Sequence, residues 1–192
     1  MVADPIDAAF TLLPSITTER LHLRPIQAGD AEALFVIKSD LEVTRRYGQE
    51  PHGSLDETRA WIGRLETSAA RRDALFWCLT LGGCDRAIGS CTLWNFDPSF
   101  HCAELGYELH RAYWGGGLMT EAASAVVAYG FTELALHRIE ACPLAGNSAS
   151  RRLLLKLGFT CEGNLRQRAF FRGHFDDQLY FGLLKDEWTK AA

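Results

Sequence analysis

Gly115, Gly116 and Gly117 form one run between Trp114 and a segment of helical periodicity that begins at Leu118. Ordered glycine costs backbone entropy, so a triple glycine at a turn implies a need for bare main chain. A strand, a bare turn and a helix N-terminus together make an anion site. The first-turn N–H groups lack helical partners, and that end of the helix dipole is positive. The chemistry this suits is recognition of a phosphate-like group. A tight strand-to-helix connection with no ligand satisfies the same residues. The run lacks the G-K-[ST] of a P-loop and the G-x-G-x-x-G spacing of a dinucleotide site. Two carboxylates precede it in AELGYEL. Glu104 and Glu108 are four residues apart. A strand puts them on one face with Cα atoms about 13 Å apart, so they cannot act as a close pair. The six histidines show no ligand spacing, and no metal site is expected.

The elements that must position these residues follow from local patterning. TTERLHLRPI alternates with Leu21 and Leu23 on one side and reads as a strand. Asp30 is an expected N-cap for a helix carrying Ala31, Leu34 and Phe35 inward. Ser54 and Glu57 form an expected capping box for a helix with Trp61, Ile62 and Leu65 on one stripe. Strand-like runs follow at 75–81, 87–95 and 103–110. After the glycine turn, Leu118, Ala122, Val126 and Met119, Ala123, Val127 fall at helical spacing. HRIEACP reads as a short strand. Asn147 caps a second helix that Gly158 closes, and two last strands run over 159–171 and 175–184. Strand, helix, strand in the middle implies one parallel crossover, and the flanking hairpins imply antiparallel pairing. The fold class is therefore α/β (α+β): a mixed sheet with helices on its faces.

Bulk composition excludes several classes. With 20 Lys and Arg against 24 Asp and Glu, the net charge is −4, which argues against a nucleic-acid binder. No apolar run reaches the roughly 20 residues that span a bilayer. The start of the chain carries no basic n-region of a secretory signal. None of the six cysteines forms a C-x-x-C pair, so reduced thiols in a cytoplasmic protein are expected. Residues 1–16 are expected to be a loosely held leader, and 17–192 a single domain.

WGGGLMTEA together with N-x-x-S-x7-G-F-x-x-E-G resembles the GNAT acetyltransferase superfamily, and more closely its RimJ/RimL-like branch. The opening Thr18, Arg20, Leu21, Leu23 and Arg24 fit that branch, as do IGSCTL, AELGYEL and a closing Asp176, Tyr180, Trp188 pattern. The resemblance runs from about 17 to 189 and implies a mostly antiparallel seven-stranded sheet with a central parallel pair and helices on both faces. It implies acetyl-CoA as co-substrate, with no metal. The family's pyrophosphate turn, [Q/R]-x-x-G-x-[G/A], falls on Trp114, Gly115, Gly116, Gly117, Leu118 and Met119. Gly117 matches the central glycine, Trp114 replaces the polar residue and Met119 the small one. Thr120 adds a hydroxyl contact. The pantetheine arm is expected to pair like an extra strand near Leu109, and Asn147 matches a position that contacts the arm.

The resemblance further implies acetyl transfer from thioester to amine, directly in a ternary complex. The amine must be neutral, the oxyanion needs a donor, and the departing thiolate welcomes a proton. Glu104 lies further from the phosphate turn than Glu108, so it is the candidate base, acting through water. The other reading is an exposed or salt-bridged strand glutamate. The acid tyrosine of many relatives falls here on Leu154, which leaves Ser150 as candidate donor. A first-turn serine bonding its own backbone is the plainer alternative. The oxyanion donor is expected to be an N–H near Tyr107, at a bulge. Tyr107 itself reads as core. Trp94, Phe96, Phe100, Phe170 and Phe171 are candidate walls of an acceptor pocket. Expected partners are a small-molecule amine or a protein N-terminus, with a homodimer allowed for. A non-catalytic acetyl-CoA-binding regulatory protein is the competing function.

Overall fold

The computed structural model describes residues 5–191. Eight strands form one sheet in the order β1-β2-β3-β4-β5-β6-β8-β7. They are β1 (Ile16–Thr17), β2 (Leu21–Pro25), β3 (Ala74–Leu81), β4 (Gly89–Asp97), β5 (Cys102–Leu109), β6 (Arg138–Ala141), β7 (Thr160–Phe171) and β8 (His174–Leu184). Among the described residues, only β5 and β6 pair in parallel. The strand beyond the expected seven is β1, two residues long, whose Ile16 and Thr17 pair with Leu23 and His22. It is too short to carry an alternation signal in the sequence.

The helices are α1 (Pro5–Thr11), α2 (Ala31–Lys38), α3 (Leu41–Thr44), α4 (Leu55–Ala70), α5 (Leu118–Thr132), α6 (Ser148–Lys156) and α7 (Lys185–Ala191). α5 makes the crossover between β5 and β6. Its two expected stripes, Leu118, Ala122, Val126 and Met119, Ala123, Val127, are all buried. They meet Leu23, Trp77, Leu93, Leu105 and Ile139 of the sheet in the larger of two core clusters. The other face, with Cys78 and Ala87, is covered by Leu34 and Ile37 of α2 and Ile62 of α4. Pleating explains the division: neighbouring strand residues point to opposite faces.

Two local expectations are corrected. Asp30 does not cap α2 with its side chain. Its carboxylate accepts from the Gln27 N–H at 2.8 Å and from both terminal nitrogens of Arg24 at 2.8 and 2.7 Å, a buried bidentate pair. Ser54 does accept from the Glu57 N–H at 3.2 Å, but the Glu57 carboxylate reaches the Gly53 N–H at 2.7 Å instead of returning to Ser54. Part of the segment expected to be a leader touches the core. Ala9 is buried, Phe10 and Leu13 lie on the core, and the Trp77 indole donates to the Pro14 carbonyl at 2.9 Å. The leader's residues 1–4 lie outside the described residues.

All six cysteines are free thiols; Cys78 and Cys91 are buried, Cys84 and Cys161 exposed. Among the described residues, no helix is long and apolar enough to cross a membrane.

Candidate active site

β5 leaves the sheet into a single 3-10 turn at Arg111–Tyr113, then extended Trp114, then the glycines. Gly115 and Gly117 have φ of 80° and 78°, a region that side chains resist. Gly116 has no such φ, and a Cβ there would meet nothing nearer than the Tyr113 carbonyl at 4.0 Å. Neither conformation nor packing explains Gly116; an open main-chain surface does. The first backbone bond of α5 is Glu121 N–H to Gly117 O at 3.1 Å. The N–H groups of Leu118, Met119 and Thr120 therefore have no helical acceptor. The side chains of Leu118 and Met119 face the core, so any ligand contact from them is through main chain.

A strut braces this turn that local patterning does not reveal. Arg20 donates from Nη1 to Gly116 O at 2.8 Å and from Nε to Glu121 at 2.6 Å. The Arg20 N–H and the Thr18 hydroxyl reach the same carboxylate at 2.8 and 2.6 Å. Burial works against the Glu121 charge, but these bonds outweigh it and hold the carboxyl below its usual range. The T-x-R between β1 and β2 thus ties to the E of T-E-A. On the other side, the Trp114 indole donates to Leu109 O at 2.7 Å, and the Arg46 guanidinium stacks 4.5 Å above its ring. The Leu109 carbonyl, expected to meet the pantetheine arm, already has this partner.

Beside the turn the sheet opens. β5 and β6 pair only from Cys102–Glu104 against Arg138–Glu140. β6 ends at Ala141, while β5 continues to Leu109. His110 donates to Ile88 O of the β4 side at 2.9 Å. Strand alternation therefore turns the polar groups of Leu105, Tyr107 and Leu109 toward the vacated edge. That edge is a template for an extended, amide-bearing ligand. The β4–β5 register runs unbroken from Glu104 to Leu109, and its irregularity lies between Trp94 and Asp97. The expected bulge at Tyr107 is absent: divergence of β6, not a bulge, exposes that backbone.

α6 stands across the opening. Asn147 caps it, accepting from the Ser150 N–H at 3.1 Å, and its amide donates to Arg46 O at 3.1 Å. Ser150 is buried, with its hydroxyl 2.6 Å from the Tyr107 phenol. Tyr107, read as core from the sequence, packs on the core and reaches α6 through this contact.

The two glutamates of β5 have separate fates. Glu108 is buried against Lys38 Nζ at 2.9 Å and accepts from Tyr47 at 2.9 Å and Ser90 at 3.2 Å. Lys38 also lies 4.0 Å over the Trp61 ring. Glu104 pairs across the parallel ladder with Glu140. Arg138 serves Glu140 at 2.7 Å and Glu162, and among the described residues no cation reaches Glu104. Burial, reinforced by the Glu140 charge, pushes Glu104 up to about 7. Beside it, the Cys142 thiol rises to about 12 through burial and the Glu104 charge. Of the candidate aromatic walls, Trp94 is the register partner of Glu104. Phe96 packs on Phe10, and Phe170 pairs with Phe175 at the β7–β8 tip.

The arrangement combines a glycine turn with bare helix N–H groups, an open strand edge and a half-buried carboxyl raised to about 7. Comparison with known proteins agrees. A GNAT acetyltransferase domain matches residues 20–160. The chain is 36% identical over 174 residues to the uncharacterized N-acetyltransferase YoaA of Bacillus subtilis, covering 91% of this chain and 98% of that one. It is 35% identical over 183 residues to the [ribosomal protein uS5]-alanine N-acetyltransferase of Escherichia coli, covering 91% and 92%. The structure of Mycobacterium smegmatis RimJ in complex with CoA-disulfide superposes with a TM-score of 0.77 at 26% identity, covering 87% and 83%. This chain is an enzyme of the GNAT acetyltransferase family, with RimJ/RimL-like proteins among its relatives.

Proposed function

We propose that the chain binds acetyl-CoA along the open edge of β5 and moves the acetyl group directly to a primary amine. The observation that carries this reading is Glu104: a half-buried carboxyl near 7, without a cation, where β5 and β6 part. The bare N–H groups of Leu118, Met119 and Thr120, with Gly115–Gly117, would hold the diphosphate. The Tyr107 backbone and the Leu109 N–H would hold the amide-rich arm. The cleft fits such a group because Gly116 leaves room that nothing else uses. The bound thioester supplies an activated acetyl carbonyl.

Glu104 takes a proton from the acceptor ammonium, through water, and frees the nitrogen lone pair. With the carboxyl near 7, the base form is lost below neutrality and dominates above it. The Tyr107 N–H, which faces the vacated edge, would donate to the carbonyl oxygen. Ser150 would donate toward the departing sulfur. Leu154, at the position where many relatives carry the acid tyrosine, is fully buried and takes no part. The acceptor is a protein N-terminal amine or a small amine, entering past Glu104 and Glu140, whose carboxylates favour an approaching cation.

The test is thiol release from acetyl-CoA with a panel of N-terminal peptides, amino acids, polyamines and aminoglycosides from pH 6 to 9. Amine-dependent release with an acid limb near pH 7 is expected. Tight binding with no release above hydrolysis, for every acceptor and pH, would favour a non-catalytic binding protein and overturn the proposal.

A further inference from the structure

Tyr107 and Ser150 are 43 residues apart, yet their hydroxyls meet at 2.6 Å. They come from opposite sides of the cleft, one from β5 and one from the first turn of α6. Asn147 fixes Ser150 through its N–H at 3.1 Å. A serine hydroxyl has one proton to give, and its direction depends on which neighbour donates to its oxygen. Left alone, a first-turn serine turns that proton to local backbone. Burial raises the Tyr107 phenol above its ordinary range, against the opposing pull of the Ser150 bond. Tyr107 therefore keeps its proton throughout the working pH range.

We propose that Tyr107 is a positioning residue for the leaving group: it donates to Ser150 Oγ and so turns the Ser150 proton onto the departing sulfur. The inference rests on the assignment of Ser150 as the donor to that sulfur. As the carbon–sulfur bond breaks, its electron pair stays on sulfur. The Ser150 O–H, backed by the Tyr107 O–H, stabilises that charge, and two donors in series polarise one another. Neither side chain ionises, and the sulfur takes its proton from water afterwards. A phenylalanine keeps the ring and its packing but removes the backing donor.

The test compares CoA with desulfo-CoA by calorimetry, so that binding is read apart from turnover. Tyr107→Phe is expected to weaken CoA about tenfold at pH 9, where the thiolate forms. Desulfo-CoA at either pH, and CoA at pH 6, should stay within about twofold. In steady state, Tyr107→Phe should lower kcat about tenfold, but add less than about twofold to Ser150→Ala. Equal weakening of CoA and desulfo-CoA, or equal kcat losses in both backgrounds, would mean that the phenol acts independently of the sulfur and would overturn the inference. If Tyr107→Phe is silent while Ser150→Ala is damaging, this inference alone falls. If Ser150→Ala changes neither CoA affinity at pH 9 nor kcat, the assignment of Ser150 falls, and this inference with it.

Discussion

Replacing Glu104 by glutamine should make the protein more stable at alkaline pH while it loses activity. The carboxyl moves from 4.5 to about 7 on folding. Between those values the native state holds a proton that the unfolded chain has released. Stability from this group is therefore fully present below about 4.5 and lost as pH rises through 7. At about 1.36 kcal/mol per pKa unit the loss approaches ~3 kcal/mol, and partial exposure reduces it to ~2 kcal/mol. Glutamine cannot ionise and avoids that loss. Thermal unfolding at pH 8 should then show Glu104→Gln melting about 4–8 °C above the parent. At pH 5 the gain should shrink to under about 1 kcal/mol. In the same protein kcat should fall about 100-fold above pH 7 and by less at pH 6, where the parent's Glu104 is itself mostly protonated. A melting gain of equal size at pH 5 and pH 8, or none at pH 8, would refute the claim that folding leaves this carboxylate without a cation.

Two further perturbations separate the cradle from the scaffold. Gly116→Val should leave the melting temperature within about 2 °C, because the space beside Gly116 is open and its φ is ordinary, yet weaken CoA more than about tenfold by calorimetry. Gly117→Trp is a poorer probe, since φ of 78° adds a backbone cost of about 1–2 kcal/mol to any steric one. Lys38→Met should cost about 3–5 kcal/mol in chemical denaturation, because it strands the buried Glu108 carboxylate. Lys38→Met with Glu108→Gln should recover part of that loss.

The sequence by itself determined what local physics controls. Helical spacing set the buried stripes of α5, and the strand-to-helix glycines marked the bare turn where α5 begins. Asn147 marked the start of α6 because a cap acts within its own turn. The motif order pointed to the family that the comparisons then established. Alternation put Glu104 and Glu108 on one face, but nothing local separates two glutamates in like surroundings. Only the tertiary structure did that, by bringing Lys38 to Glu108 and sending Arg138 to Glu140 and Glu162. Ion pairs and hydroxyl bonds join residues that chain order keeps far apart. Arg20 and Glu121 lie 101 positions apart, and Tyr107 and Ser150 lie 43. The open edge of β5 is tertiary in the same sense, since it exists only because β6 stops at Ala141 while β5 runs on. Periodicity records which way a side chain faces; the charge and company it meets there depend on elements that arrive from elsewhere in the chain.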